Sequence, residues 1–473
     1  MNKNIFYRIY AAAFIGICLV PAVLTPFVKS DGSKEKRELG KLPSVKTEKG
    51  ELNFEFFDEF ETYFSEHFAF RPQLVTADGR LKAALTATSP NSDVIVGKDG
   101  WLYYGETVND FLRTDTLSSA EIKNIANNLR IIEKYCLQRG AEFIFFSAPN
   151  KNTLYPEYMP YNYVPSDRES NLEMLTAELV DDDFFFNMKS ALLNLDSPTP
   201  LYHKTDTHWN NFGAYAAHTM LMNKIGKAPC GTGNGWYTAH DRLGDLAAMI
   251  YPAENAKDMQ LHNDYEFTYE YTSRFRGLDD ISITTSCGNG DGELLMYRDS
   301  YGEAILPYMA EVFESAEFSR AVPYRLSSVK ENDTVIIELV ERNLGNLLNE
   351  APIMEAPLTD VPDKAERSDG KGAVLESYGS SGMTHIFGVL PEDCFSGDSH
   401  RIVVQLENEA FEAFNCFEPE LLDEEEYSSR GFSLYIPEDK KSSTYKVTVL
   451  NSDGRAVSVQ FTSIGGFVNY ETF

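Results

Sequence analysis

An α/β body with a mostly parallel sheet, followed by a small all-β module, is the fold that the sequence predicts. Three observations predict it. Short apolar runs alternate with helix-patterned segments between Ser118 and Leu339, and several of these runs end in a polar cluster. Beyond about residue 375 the helical pattern gives way to period-two runs separated by turn residues. The 473 residues are enough for two or three domains of ordinary size.

Composition narrows the class. With 43% hydrophobic and 24% charged residues the chain is neither disordered, collagen-like nor a coiled coil. Seventy-two acidic against 42 basic residues give a net charge of −30, which repels polyanions. A general nucleic-acid-binding role is therefore excluded, and a neutral or weakly charged substrate suits such a body.

At the N-terminus, Lys3 and Arg8 precede a charge-free run from Ile9 to Val28. Twenty residues at helical rise match the hydrocarbon thickness of a bilayer. Residues 1–28 therefore read as an uncleaved signal-anchor or a cleaved signal peptide, and the rest as exported, extracytoplasmic chain. Residues 29–50, polar and Lys/Glu-rich, read as a stalk. The run from Phe54 to Phe64 spaces its aromatics as a core-facing helix would. Five cysteines after Cys18 show no metal-like spacing; Cys394 and Cys416 could form a disulfide, and free thiols are the alternative.

The α/β body spans residues 51–350. Val94–Val96 and Leu102–Tyr104 flank a Lys-Asp-Gly turn, as a hairpin does. Ser118 and Glu121 form a capping-box pattern ahead of Ile122, Ile125, Leu129 and Ile132, and Gly140 closes that helix. Buried strands follow at Phe143–Phe146, Asp183–Phe186, Leu294–Tyr297 and Thr334–Leu339, with a helical stretch near 167–180. Residues 228–292, rich in Gly, Asn and Asp, read as an insertion near the site. Residues 351–374 read as a linker, and 375–473 as an independent β-sandwich module with a hairpin turn at Asn451–Gly454. Tyr427, Phe432 and Tyr435 are its candidate glycan-contacting aromatics, an ordinary sandwich core being the alternative.

Ligands of a parallel α/β sheet gather beyond the carboxyl ends of its strands. Three polar clusters fall there: Asn150-Lys151, Arg298-Asp299-Ser300, and Glu338 to Arg342. Ser300 lies between a strand and a helix start, which suits a nucleophile beside backbone N–H groups, although Asp-Ser there also suits a plain cap. Asp206 and His208, two residues apart, point the same way in an extended segment, as an oriented base requires. A structural Asp–His pair capping the next helix is the alternative. A metal site of His203, Asp206 and His208 ranks third, since no fourth ligand is apparent.

Asp206-Thr207-His208-Trp209 with Gly213-Ala214 resembles the motif of the DHHW family, relatives of the AlgX- and AlgJ-type alginate O-acetyltransferases. The resemblance extends in order through Phe68–Arg71, Gly97–Leu102, Pro149-Asn150-Lys151, Asp299–Gly302 and Glu341-Arg342, over roughly residues 50–345. Thr207 replaces the first His of that motif, Tyr301 stands where Phe is usual, and Arg298 where some members have Gly. The resemblance implies an SGNH-hydrolase-like domain with Ser300 as nucleophile, His208 as base and Asp206 as its orienter. Asn150, Lys151, Arg298 and Tyr301 are the accompanying candidates for substrate or oxyanion contact. No metal and no cofactor are expected. The implied reaction moves an acetyl group to a hydroxyl of a cell-surface polysaccharide. The implied donor is a membrane-bound O-acyltransferase, with the N-terminal segment holding the chain at the membrane. Two alternatives stay open: an acetyl esterase with the same triad, and a non-catalytic, membrane-tethered glycan-binding protein.

Overall fold

The computed structural model describes residues 3–28, 39–47, 49–86, 88–360, 364–368, 370, 373–378, 382–407, 409–417, 430–440 and 444–462. The body is built on a six-stranded sheet in the order 142–148, 334–340, 293–297, 315–319, 282–286, 270–271. The first four strands are mutually parallel, and the last two add antiparallel edges. Alternation explains the unbroken apolar runs. Ile144, Phe146, Met296, Ile336 and Val340 face the helices Asn211–Lys224 and Gly302–Val312. Phe143, Phe145, Leu295, Val335 and Ile337 face the helices Ser119–Gln138 and Asn171–Glu178. Both faces are covered, so the central strands are apolar along almost their whole length.

Local rules hold where they were strongest. Ser118 and Glu121 form a complete capping box, and Gly140 takes φ +74 behind the helix. The hairpin Val94–Val96/Leu102–Tyr104 turns through Asp99 and Gly100, both at positive φ. Several expectations are corrected. Asp183–Phe186 is not a strand but a single bridge, Phe185 to Phe145, on the outer edge of the sheet. The supposed insertion is half core: residues 270–271 and 282–286 complete the sheet, while Trp236–Arg242 and Asp258–Asn263 form a separate hairpin. The helix Phe56–His67 buries no residue, and Phe57 is 79% exposed, because its rings stack along their own helix. The apolar N-terminal run is helical from Lys3 to Leu24. Among the described residues, however, no helix is long and apolar enough to cross a membrane, so the anchor is not supported.

The C-terminal region is a single eight-stranded, mostly antiparallel sheet folded around one core. The strand Glu409–Asn415 joins its halves, pairing with His400–Leu406 and, through two residues, with Gly431–Pro437. The hairpin across residues 451–454 forms as expected. This sheet is not independent of the body. Asn128 exchanges two hydrogen bonds with the Asn415 backbone, and Phe414 and Tyr435 join the core under the helix Ser119–Gln138. Phe432 and Tyr435 are buried and cannot face a glycan; Tyr427 lies outside the described residues. Cys136, Cys230, Cys287, Cys394 and Cys416 are all free and buried, so the 394–416 disulfide does not form.

Candidate active site

The base sits on a loop rather than on a regular element, and the loop is tied down from below. Lys151 follows the strand 142–148 and is buried beneath residues 203–206. Its Nζ donates to the carbonyls of His203 (3.1 Å), Lys204 (3.0 Å) and Asp206 (2.7 Å). Burial lowers its ammonium to about 7, against the opposing pull of Asp206, Asp245 and Asp258. Asn210 then caps the helix Asn211–Lys224, so the loop is held at both ends.

Within this loop Asp206 is fully buried. Its Oδ1 accepts from the His208 amide (3.0 Å) and from His208 Nδ1 (2.8 Å). Its Oδ2 accepts from Arg242 Nε (2.9 Å) and faces Arg242 Nη2 at 2.7 Å. Burial opposes ionisation, yet the imidazole and the guanidinium hold this carboxyl well below the usual range. With Asp206 accepting at Nδ1, the other ring nitrogen is left to take a proton. That nitrogen, Nε2, lies 2.9 Å from Ser300 Oγ.

Ser300 stands in the turn between the strand 293–297 and the helix Gly302–Val312. Asp299 fixes the turn: its carboxylate accepts from the Tyr301 amide (2.8 Å) and from the Val340 amide (2.8 Å) of the neighbouring strand. Glu338 in turn accepts from the Asp299 amide (3.0 Å). Burial, and then the adjacent Asp299, push Glu338 well above the ordinary carboxyl value. Trp209 joins the two halves, donating from Nε1 to the Tyr301 carbonyl (3.0 Å).

The serine, the histidine and the aspartate thus converge as expected. Ser300 and His208 open into a cavity of about 950 Å³ with Thr207, Asp245, Tyr104, Arg342 and the helix face of Arg71, Leu74, Val75 and Asp78. The four accompanying candidates do not line it. Lys151 spends all three donors on the carbonyls of the 203–206 loop that covers it. Asn150 is buried, its amide on Glu341 and its side chain on Asp110. Arg298 donates to the carbonyls of Asp299 and Leu278. Tyr301 is a buried brace whose hydroxyl donates to the Thr207 carbonyl (3.0 Å).

Sequence reading missed three residues. Arg242 and Asp245 come from the hairpin region; Asp245 accepts from the Thr207 amide (2.8 Å) and lies 3.7 Å from His208 Nδ1. Their only signal was the reading of residues 228–292 as near the site. Arg342 was noted in a strand-end cluster and assigned no role. His203 does not join the site, because its Nδ1 pairs with the Met259 carbonyl at 3.1 Å. Asp206, His208 and Asp245 could themselves gather around a cation, their ligand atoms lying within 4.8 Å of one another. Such an ion would displace the Arg242 and imidazole contacts that these carboxylates already make.

Comparison with known proteins agrees with the motif reading. Residues 94–279 match the family model of the SGNH hydrolase-like domain of the acetyltransferase AlgX, a span that includes Asp206 and His208 and ends before Ser300. No curated protein matches the sequence. Similar solved structures include a DHHW family protein from Eubacterium siraeum, 16% identical, covering 54% of this chain and 94% of that one, TM-score 0.41. PatB1 of Bacillus cereus is 15% identical over 54% of this chain and 96% of its own, TM-score 0.41. AlgX of Pseudomonas aeruginosa is 12% identical over 78% and 82%, TM-score 0.35. Residues 94–279 of the α/β body are thus similar to an SGNH hydrolase-like domain.

Proposed function

We propose that the chain is an extracytoplasmic O-acetyltransferase that works through an acetyl-serine on Ser300. The observation that carries this reading is the hydrogen-bonded series Asp206–His208–Ser300 opening into a large cavity. Ser300 Oγ attacks the acetyl carbonyl while His208 Nε2 takes its proton, and Asp206 stabilises the imidazolium. The donor's leaving group departs with that proton. A sugar hydroxyl then enters, gives its proton to His208 and attacks the acetyl carbon, and Ser300 leaves and is reprotonated.

The acceptor is a hydroxyl of a polysaccharide, and the donor a membrane-bound O-acyltransferase that delivers acetyl groups across the membrane. The family match supports an acetyltransferase domain, and the charge-free run behind Lys3 and Arg8 supports export. The non-catalytic alternative would lead were Ser300 beyond reach of His208; the separation of 2.9 Å supports the catalytic reading instead.

The test is to incubate the protein with a chromogenic acetyl ester, with and without an oligosaccharide, and to weigh protein and products by mass spectrometry. Acetyl on Ser300 and then on the oligosaccharide is the expected result, and Ser300→Ala should abolish both. Acetate alone, unchanged by acceptor, makes the protein an esterase. Full turnover by Ser300→Ala refutes the nucleophile.

A further inference from the structure

Attack by Ser300 places a full negative charge on the former carbonyl oxygen, and a preorganised donor there is worth several kcal/mol. The cationic and amide groups that sequence put near Ser300 do not line its cavity: Arg298 keeps one unpaired nitrogen, Nε, but neither it nor Lys151 opens into that space. The three protons of Lys151 and the guanidinium contacts of Arg298 are directed at backbone carbonyls. The Tyr301 amide, next to the nucleophile, is donated to Asp299, and the Thr207 amide to Asp245.

Two groups differ. The Ser300 amide donates to nothing among the described residues. Arg342 lines the cavity with Ser300 and His208, and among the described residues it makes no hydrogen bond or ion pair. One of its terminal nitrogens is buried without a partner. An unpaired buried donor is costly, which is the condition expected of a group reserved for a ligand.

Its position is nevertheless fixed. The guanidinium lies 5.3 Å from the Tyr104 ring centre and 6.0 Å from that of Tyr301. Packing against rings holds a guanidinium in place while leaving its N–H groups unspent. The Tyr301 ring is also flanked by the His208 imidazole at 4.9 Å, so cation and base surround one ring. The preceding Glu341 does not neutralise Arg342, because its carboxyl accepts from the Asn150 amide and the Thr153 hydroxyl.

We propose that Arg342 is a further catalytic residue, donating with the Ser300 amide to the carbonyl oxygen of the acetyl group as it becomes an oxyanion. The inference rests on the acyl-transfer reading above. When Oγ bonds to carbon, the carbonyl pair moves to oxygen and is met by these two donors. When the intermediate collapses, the double bond re-forms and the leaving oxygen carries away the proton from His208. Arg342 neither gains nor loses a proton, and it serves formation and breakdown of the acetyl-serine alike.

The experiment measures the acylation burst with p-nitrophenyl acetate, and transfer to an oligosaccharide, for full-length wild type, Arg342→Met, Arg342→Lys and Ser300→Ala. Arg342→Met should slow acylation by about 10²–10³-fold with little change in thermal unfolding, and Arg342→Lys should recover part of that loss. Should the Met variant fail to fold, the Lys variant alone is read. It keeps the charge but loses the planar fork, and about a tenfold slower burst is expected. A normal burst in every Arg342 variant that folds overturns the proposal, and a normal burst with a raised acceptor KM makes Arg342 an acceptor contact instead. Wild type that never acetylates Ser300 removes the acyl-transfer reading and this inference together. Wild type that acetylates while Arg342→Met matches it removes only the inference.

Discussion

The loop that carries Asp206 and His208 is gripped by two cations as well as by carboxylates, whereas the turn that carries Ser300 is fixed chiefly by carboxyls on its backbone amides. Lys151 and Arg242 grip the loop from two sides, and the depressed Asp206 is the charge that justifies both. Asp299 and Glu338, whose carboxyl burial and Asp299 push upward, grip the turn through backbone amides. The difference follows from what each segment does. The loop must stabilise a positive imidazolium, so an ionised carboxylate belongs at its centre. The turn must meet a negative oxyanion, so its acids are neutralised or directed at amides, away from the cavity.

The largest expected effect contrasts the two central acids. Asp206→Asn should lower kcat by about 10⁴-fold, because the amide favours the wrong imidazole tautomer. Asp299→Asn should cost far less, since Asn can still accept one of the two amides. Rates of acetyl-ester turnover for the two variants at neutral pH decide the matter. Equal losses would erase the distinction between loop and turn.

Stability comes next. Lys151→Met strips donors from three carbonyls and should destabilise by about 3 kcal/mol or more. Glu338→Gln should cost about 1 kcal/mol or less, because burial beside Asp299 already favours the neutral form of this carboxyl and the amide can still accept from the Asp299 amide. Urea unfolding of both measures the gap. A Lys151→Met variant as stable as wild type would mean that the ammonium does not hold the loop.

Both segments were legible in the sequence to the extent that their chemistry is local. Asp206 and His208 sit two residues apart, and Ser300 lies between a β-patterned run and a helix start, so spacing made them candidates beside a plain capping role, and the family resemblance chose between the two. The supporting residues are distant in sequence: Arg242 reaches Asp206 across 36 positions, and Lys151 reaches its carbonyl across 55. No local period carries such contacts, and so Lys151 was placed at the chemistry rather than beneath it. The body sheet was readable because both faces are apolar. The edge strands 270–271 and 282–286 were hidden because a lone edge has one covered face and little apolar content. Phe432 and Tyr435 misled for a related reason: alternation shows which residues share a face, not which face is wet.

A smaller effect separates the two segments by pH. Burial raises Glu341, which is held against Asn150 and Thr153, from 4.5 to about 7, with Asp110 adding to the push and Lys189 opposing it. The folded chain keeps this proton where the unfolded chain has released it. Its contribution is therefore complete below about pH 4.5 and lost as pH rises through 7, by at most about 3 kcal/mol. Asp206 runs the other way: its contribution is present above the ordinary carboxyl pKa and lost as pH falls. Glu341→Gln should flatten the slope of stability between pH 4.5 and 7 and leave the acid limb intact. Urea midpoints across that range test it, and an unchanged slope would assign the loss to another group.

The smallest effect concerns one glycine behind each segment. Gly213 opens the helix after the His208 loop, and a Cβ there would lie 2.3 Å from the Leu201 carbonyl oxygen. Gly302 opens the helix after Ser300, and a Cβ there would meet the Arg298 side chain at 2.5 Å. Alanine favours a helix over glycine by about 1 kcal/mol at either place, which offsets part of the clash. The obstacle at Gly213 is backbone, and the same carbonyl accepts from the Asn210 amide at 2.8 Å, so it cannot retreat without breaking the cap. The obstacle at Gly302 is the Arg298 side chain from its Cβ outward. Rotation moves the Cδ at 2.6 Å but not the Cβ at 2.5 Å, so the serine turn must also shift, which loosens the hold of Arg298 on the Leu278 and Asp299 carbonyls. Gly213→Ala should therefore be the more destabilising, by about 1 kcal/mol out of the roughly 1–3 expected for overpacking. Gly302→Ala should show the greater loss of turnover relative to its loss of stability, because the displaced Arg298 shares its turn with Ser300. Paired measurements of kcat and unfolding in the two variants test this, and the reverse ranking would mean that the serine turn, not the histidine loop, is the stiffer half.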